Sequence, residues 1–187
     1  MKFKFIIYLL ASILLINQSL SKEVKFESSN LKILNEGNII EGSDVKAIIP
    51  NQNIIITGNK SIYNKKKGEL KFIKNVKFLD DNRNIKLEGE NLVYNKFSNI
   101  VNSFGKTKIK IEDKFEILSK NIFYDRNLMK IYSDEETLIK DNKNNVFNLE
   151  NYFNFNINTE IVTSDKTTIL DNENNEYIFE KVKINLR

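Results

Sequence analysis

Pairs of adjacent carboxylates are the first candidates for chemistry in this sequence. Examples are Asp80/Asp81, Asp134/Glu135 and Glu135/Glu136. Glycoside hydrolases use two carboxyl groups that flank the bond to be cleaved. Adjacent residues of a strand point to opposite faces, so these pairs do not flank one bond. We therefore expect them to lie in solvated turns.

The composition excludes most other catalytic sites. The chain has 187 residues with no His and no Cys, which excludes His-containing triads, thiolate chemistry and the usual zinc sites. The sequence Asp80-Asp-Asn-Arg-Asn lacks the spacing and closing Glu of a calcium loop. Lys and Arg exceed Asp and Glu by 29 to 25, but the signs alternate, unlike the basic block of a nucleic-acid arm. We expect no enzyme, no cofactor, no metal site and no nucleic-acid partner.

The first 21 residues have the pattern of a secretory signal peptide. Lys2 and Lys4 precede an apolar run at residues 5–16, and small residues follow at Ser19 and Ser21. Twelve helical residues rise about 18 Å, which is too short for a hydrocarbon core of roughly 30 Å. We predict a signal-peptide helix at 1–21 and a mature domain at 22–187. Cleavage would lower the net charge from +4 to +2, because this segment has two lysines and no acids.

An aromatic residue followed by Asn or Asp recurs along the chain. The aromatic residues are Tyr63, Tyr94, Tyr124 and Phe155, separated by 31, 30 and 31 residues. A fixed period of this size is typical of stacked repeats. Around them, apolar residues alternate with Lys or Glu, as at Ile85 and Leu87, which predicts strands, and clustered Asn and Asp predict turns. The chain is therefore predicted to be all-β, a stacked antiparallel β-solenoid of about five rungs with two strands each.

This period also predicts a column of aromatic rings. If each rung presents its aromatic residue at the same corner, the four rings stack along the axis of the solenoid. Offset ring contacts would then contribute about 0.5–1.5 kcal/mol per pair beyond burial.

Alternation assigns ten apolar residues to the inward face. They are Leu70, Phe72, Val76, Phe78, Ile85, Leu87, Ile109, Ile111, Phe115 and Ile117. If the two strand layers pack tightly, these residues form a core. If the layers separate, they line a groove in which each methylene of a guest acyl chain gains about 0.8 kcal/mol. Alternation alone leaves both interpretations open.

An antiparallel stack has two edges with unpaired backbone groups. At one of them, the last register opens at Tyr177 and stops in mid-repeat at Arg187. Either the natural chain continues, or the edge pairs with a further module by strand addition. Both interpretations predict end-to-end assembly.

Three segments resemble a known family. They are Ile56-Thr-Gly-Asn-Lys-Ser-Ile-Tyr-Asn-Lys-Lys-Lys-Gly-Glu-Leu70, Lys74-Asn-Val-Lys-Phe-Leu-Asp-Asp81 and Leu87-Glu-Gly-Glu-Asn-Leu-Val-Tyr-Asn-Lys96. They are similar to the OstA-like family of lipopolysaccharide transport (Lpt) proteins, and the similarity extends over roughly residues 30–187. The resemblance implies a β-jelly roll that is open along one side and holds lipopolysaccharide acyl chains in an apolar groove.

The resemblance also implies a location and partners. The chain would act in the periplasm of a Gram-negative bacterium, associated with the outer membrane. Its partners would be lipopolysaccharide, other Lpt bridge components added end to end, and an outer-membrane barrel or lipoprotein. The unfinished last register favours the N-terminal periplasmic part of the outer-membrane assembly protein. The alternatives are a free-standing periplasmic bridge protein and a secreted β-solenoid scaffold or adhesin that binds no lipid.

Overall fold

The computed structural model describes residues 24–186, and the predicted signal peptide lies outside this range. Fourteen strands are formed: β1 Lys25–Glu27, β2 Asn30–Leu34, β3 Ile39–Ile49, β4 Ile54–Asn64, β5 Glu69–Asp80, β6 Ile85–Asn95, β7 Ile100–Ile111, β8 Phe115–Lys120, β9 Phe123–Asp125, β10 Lys130–Ser133, β11 Thr137–Asp141, β12 Val146–Asn156, β13 Ile161–Leu170 and β14 Glu176–Asn185. Two single-turn 3-10 helices lie at Pro50–Gln52 and Asp81–Arg83. The predicted all-β class is confirmed. In the described residues no helix is long and apolar enough to cross a membrane.

All fourteen strands belong to one antiparallel sheet. From β3 to β8 each strand pairs with the next along the chain, while β1 and β2 both pair with β3, and β13 and β14 follow β12 at the other end. The chain crosses the sheet eleven times, in β1 with β2, β3, β4, β5, β6, β7, β8 with β9, β10 with β11, β12, β13 and β14. Eleven crossings correspond to five two-stranded rungs and one further crossing.

The long strands bend near their middles, which folds the sheet into two layers. Register shifts lie between Thr57 and Lys60 in β4 and between Ile73 and Val76 in β5. Positive φ angles at Lys74 and Asn75 in β5, at Gly105 in β7 and at Asn151 in β12 bend three of these crossings. Layer A contains 25–27, 45–49, 54–57, 76–80, 85–89, 107–111, 115–120, 137–141, 146–150, 166–170 and 176–180. Layer B contains 30–34, 39–43, 60–64, 69–73, 91–95, 100–104, 123–125, 130–133, 153–156, 161–164 and 182–185. We call the line of bends the fold line.

Six strands close into a barrel. β7 pairs with both β8 and β9, β12 pairs with both β11 and β10, and the pairs β8–β11 and β9–β10 complete the ring. The ring arises because two crossings break at the fold line, at 121–122 and at 134–136, so that each contributes one short strand to each layer. The predicted jelly roll, open along one side, is therefore wrong for this part of the chain.

The four recurrent aromatic rings are buried but do not form a continuous column. The facing residues across layer B run Tyr63, Leu70, Tyr94, Val101, Tyr124, Ile131, Phe155 and Val162. An aliphatic residue thus separates successive rings by two strand spacings, about 9.5 Å. The rings contact the opposite layer instead: the Phe78 centroid lies 6.2 Å from that of Tyr94 and 6.5 Å from that of Tyr124. The predicted stacking of these rings on one another is wrong.

The Asn or Asp after each aromatic residue has a separate role in the turn. Its side-chain oxygen accepts a hydrogen bond from a backbone N–H two or three residues later. Asn64 Oδ1 binds the N–H of Lys67 at 3.1 Å, and Asp125 Oδ1 binds the N–H of Asn127 at 2.9 Å. Asn95 and Asn156 do the same. The repeated dipeptide therefore places one side chain in the core and uses the next to close the turn.

Candidate functional site

The ten predicted inward residues all lie between the layers. Each is between 0 and 6% exposed, and all belong to one continuous apolar core. Alternation therefore assigned their direction correctly. Of the two interpretations that the sequence left open, the layers adopt the tightly packed one. Contact of these residues with lipid stays a prediction.

Two rows of turns lie at the edges of the layers away from the fold line. Rim A consists of 50–53, 81–84, 112–114, 142–145 and 171–175, and rim B consists of 35–38, 65–68, 96–99, 126–129 and 157–160. Backbone hydrogen bonds run along each rim, from Asp81 N to Asn53 O in rim A and from Arg126 N to Asn99 O in rim B. We call the line where the rims meet the mouth.

Side chains join the rims across the mouth. Lys114 Nζ of rim A lies 3.0 Å from Glu160 Oε1 of rim B. Arg83 of rim A donates from Nη2 to the backbone oxygen of Arg126 at 3.3 Å, and from Nε to the sulfur of Met129 at 2.9 Å. The interior is thus covered at the mouth by polar side chains.

A buried ion pair lies at the centre of the mouth. Arg126 Nε donates to Asp80 Oδ2 at 2.7 Å, and the two side chains are 2% and 0% exposed. The same oxygen lies 3.2 Å from Arg83 Nη1 and accepts a hydrogen bond from the Tyr124 hydroxyl at 3.1 Å. Asp80 ends β5 in layer A and Tyr124 lies on β9 in layer B, so the cluster connects both layers.

The other end of the Arg126 guanidinium is also bound. Nη2 donates to the backbone oxygen of Gln52 at 3.3 Å, and Nη1 donates to Gln52 Oε1 at 3.3 Å and to Asn99 Oδ1. The Tyr94 hydroxyl lies 3.0 Å from Asn99 Oδ1 and also contacts Gln52 Oε1. We call the set Gln52, Asp80, Arg83, Tyr94, Asn99, Tyr124 and Arg126 the mouth cluster.

The environment keeps these groups in their donor forms. Burial, followed by the charge of Asp80, raises the pKa of Tyr124 far above its ordinary value, and burial raises the pKa of Tyr94. Burial opposes the charge of Arg126, but the hydrogen bond to Asp80 and its charge outweigh burial and raise the Arg126 pKa. At neutral pH the cluster therefore presents two hydroxyl donors and two guanidinium groups.

The expected solvated carboxylate pairs divide into two cases. Asp134 and Glu136 are exposed at the fold line, as the sequence predicts. Asp81 is also exposed, but Asp80 is fully buried, so the prediction is wrong for this residue. The strand end turns Asp80 inward, where two arginines supply the charge that a buried carboxylate requires.

Sequence reasoning missed Arg126, Gln52 and Asn99, because they lie in turns that meet only after the sheet folds. One signal was available. The basic residues are mostly lysine, with arginine only at 83, 126 and 187. Arginine is preferred over lysine for buried, multiply bonded ion pairs, and two of the three arginines lie in the mouth cluster.

The interior reaches the surface at both ends of the stack. At the first end Leu31 and Ile33 of β2 are 42% and 69% exposed, and at the last end Tyr177 and Phe179 of β14 are 46% and 44% exposed. In register, Phe179 faces the buried Thr167 and Ile33 faces Ile40, so these side chains continue the inward face.

No protein-family model matches the chain, and no curated protein matches it.

Proposed function

We propose that the chain holds the acyl chains of lipopolysaccharide between layers A and B, as a module of a periplasmic bridge to the outer membrane, and that it carries out no reaction. The proposal depends on one observation, an apolar interior that is continuous between the layers and surfaces at both ends of the stack. Such an interior takes up methylene groups at a gain of about 0.8 kcal/mol each. The OstA-like resemblance supplies the identity of the lipid.

Entry of a chain requires the layers to separate, because the inward residues are packed. At the fold line the two layers are continuous strands, as in β5 and β12. At the mouth the contacts described above are made by side chains, such as those of Lys114 and Arg126. Separation at the mouth would therefore break side-chain contacts while the backbone ladders stay intact. We propose that the acyl chains enter there.

Assembly with neighbours would use the two edges. β14 pairs only with β13, and β1 and β2 pair only with β3, among the strands of residues 24–186. A strand from a neighbouring module would bind the free backbone groups and cover the exposed Tyr177 and Phe179. Such neighbours are further bridge modules, or an outer-membrane barrel or lipoprotein at the end of the bridge. The same role suits the N-terminal part of an assembly protein or a free-standing bridge.

A second candidate function is a secreted scaffold or adhesin that binds no lipid. The dense packing of the interior favours it, since residues such as Phe72 and Ile85 are fully buried. In this case the five rungs would serve as a rigid spacer, and the mouth would stay closed.

Photo-crosslinking in cells distinguishes the two functions. A photoreactive amino acid replaces three inward residues in separate variants, at Phe78, Leu87 and Ile117. The matched controls are their outward neighbours, Lys77, Lys86 and Glu116. The lipid function predicts lipopolysaccharide adducts at the inward positions and a much lower yield at the controls. Absence of adducts at all three inward positions, with normal amounts of folded protein, favours the scaffold.

A further inference from the structure

The mouth cluster carries more positive than negative charge. Two guanidinium groups, Arg83 and Arg126, share one buried carboxylate, Asp80. At a second ion pair across the mouth the excess is negative, because Lys114 lies 3.0 Å from Glu160 and 3.1 Å from Glu112. If Asp80 moved away, two cations would remain at the edge of the apolar interior.

The donors around Asp80 make their shortest contacts with a single oxygen, while Arg83 Nη1 also lies 3.5 Å from Oδ1. Oδ2 accepts from Arg126 Nε at 2.7 Å and from the Tyr124 hydroxyl at 3.1 Å, and it lies 3.2 Å from Arg83 Nη1. Two arginines and a hydroxyl that meet at one oxygen are the groups that proteins use to bind phosphate. Of these residues, Arg83 belongs to rim A, while Tyr124 and Arg126 come from layer B and its rim.

We propose that Arg83, Tyr124 and Arg126 bind the phosphate of the guest amphiphile, and that the Asp80 carboxylate occupies this position when no guest is bound. This inference rests on the proposed function, because a chain inserted between the layers would place its headgroup at the mouth. The phosphate would connect the two rims in place of Asp80. Asn99, on the same rim as Arg126, would keep the guanidinium oriented after Asp80 and Gln52 move away.

The first test removes the resident carboxylate. In Asp80→Asn the amide keeps the size of the side chain but leaves the two arginines without a counter-charge. Inorganic phosphate, compared with chloride at equal ionic strength, should raise the thermal midpoint of this variant well above its effect on the wild-type chain. The double variant Asp80→Asn/Arg126→Gln should lose the phosphate-specific rise. Lys71→Gln removes an exposed charge on layer B and should respond as the wild type does.

Equal phosphate responses of Asp80→Asn and the double variant would overturn the proposal. If Asp80→Asn does not fold, NMR of the wild-type chain provides the same test. The Nε–H resonances of Arg83 and Arg126 should shift together as phosphate is added, with one saturating curve. If the two Nε–H resonances shift as much with chloride as with phosphate, the proposed phosphate site is contradicted.

The second test uses two amphiphiles of equal chain length, dodecyl phosphate and dodecyl maltoside, below their micelle concentrations. The wild-type chain should bind dodecyl phosphate about tenfold more tightly than dodecyl maltoside, which is the factor for one charge-assisted hydrogen bond. Arg83→Gln should lower this ratio. Equal binding of both amphiphiles, without a phosphate response of Asp80→Asn, would overturn the anion site and keep the lipid function. Binding of neither amphiphile, with a phosphate response of Asp80→Asn, would overturn the lipid function and keep the anion site.

Discussion

The apolar interior is bounded by two polar lines of different kinds. Along the fold line the buried polar groups are neutral hydroxyls: Ser103 Oγ lies 2.6 Å from Thr107 Oγ1, and Thr137 Oγ1 donates to Ser119 Oγ at 2.7 Å. At the mouth the buried polar groups are Asp80 and Arg126, which are charged. Hydroxyls suffice at the fold line because the backbone itself passes there from one layer to the other, including at 121–122 and 134–136, where the strands are interrupted. At the mouth no backbone passes between the layers in the described residues, and charged side chains connect the two rims.

The difference predicts that substitutions at the two lines have effects of different size. A buried ion pair costs desolvation energy, and the attraction of its partners returns much of that cost only while they stay together. Removing one partner is therefore far more costly than removing one member of a hydroxyl pair. If single substitutions at the two lines lowered the free energy of unfolding equally, the charges at the mouth would have no role that the hydroxyls at the fold line lack.

The largest effect is expected for Arg126→Met. The substitution leaves Asp80, which is fully buried, without its 2.7 Å partner, and should lower the free energy of unfolding by about 3–5 kcal/mol. Urea unfolding measures the change. The double variant Asp80→Leu/Arg126→Met removes both charges and should be more stable than Arg126→Met alone. A double variant as unstable as the sum of its single substitutions would show that the charges are not coupled.

A smaller effect is expected for Tyr124→Phe. The ring and its contact with Phe78 remain, but the hydroxyl bonded to Asp80 at 3.1 Å is lost. A hydrogen bond to a charged group contributes about 1.5–3 kcal/mol, so unfolding should become easier by about 2 kcal/mol. The matched control is Tyr132→Phe, because the Tyr132 ring stacks on Phe123 outside the core. Equal losses in the free energy of unfolding for Tyr124→Phe and Tyr132→Phe would contradict a special role of the Tyr124 hydroxyl at the mouth.

The mouth should also make the protein sensitive to alkaline pH. The pKa of Tyr124 is raised in the folded state above the ordinary value of 10.0 by burial, then by the charge of Asp80. Above pH 10 the unfolded chain releases this proton while the folded chain keeps it, so stability falls as pH rises, by about 1.4 kcal/mol per pH unit. Urea unfolding between pH 8 and 11 should show a shallower fall in Tyr124→Phe. If stability fell equally with pH in the wild type and in Tyr124→Phe, Tyr124 would not be the source of the alkaline sensitivity.

The sequence predicted local features well, because strand alternation and turn chemistry act over a few residues. It assigned the direction of Phe78 and Ile117 and placed the turns after Tyr63 and Tyr94. It failed where distant segments meet. Arg126 and Gln52 are 74 positions apart, and only the folded sheet brings their turns together. Closure of the six-strand barrel likewise depends on the breaks at 121–122 and 134–136, which the alternation of apolar and polar residues does not predict.

The smallest effect is expected at the fold line, for Thr137→Val. Valine keeps the shape of the side chain and suits a strand, but the one hydroxyl proton that Thr137 Oγ1 donates to Ser119 Oγ, or to the backbone oxygen of Glu135 at 3.0 Å, is lost. Ser119 still has the backbone oxygen of Glu136 at 3.1 Å as a partner, so no buried donor is left unpaired. One neutral hydrogen bond contributes about 1 kcal/mol, and urea unfolding should show a loss no larger than that. A loss comparable to that of Arg126→Met would contradict the distinction between the two lines, because neutral hydroxyls at the fold line would then contribute as much stability as the buried ions at the mouth.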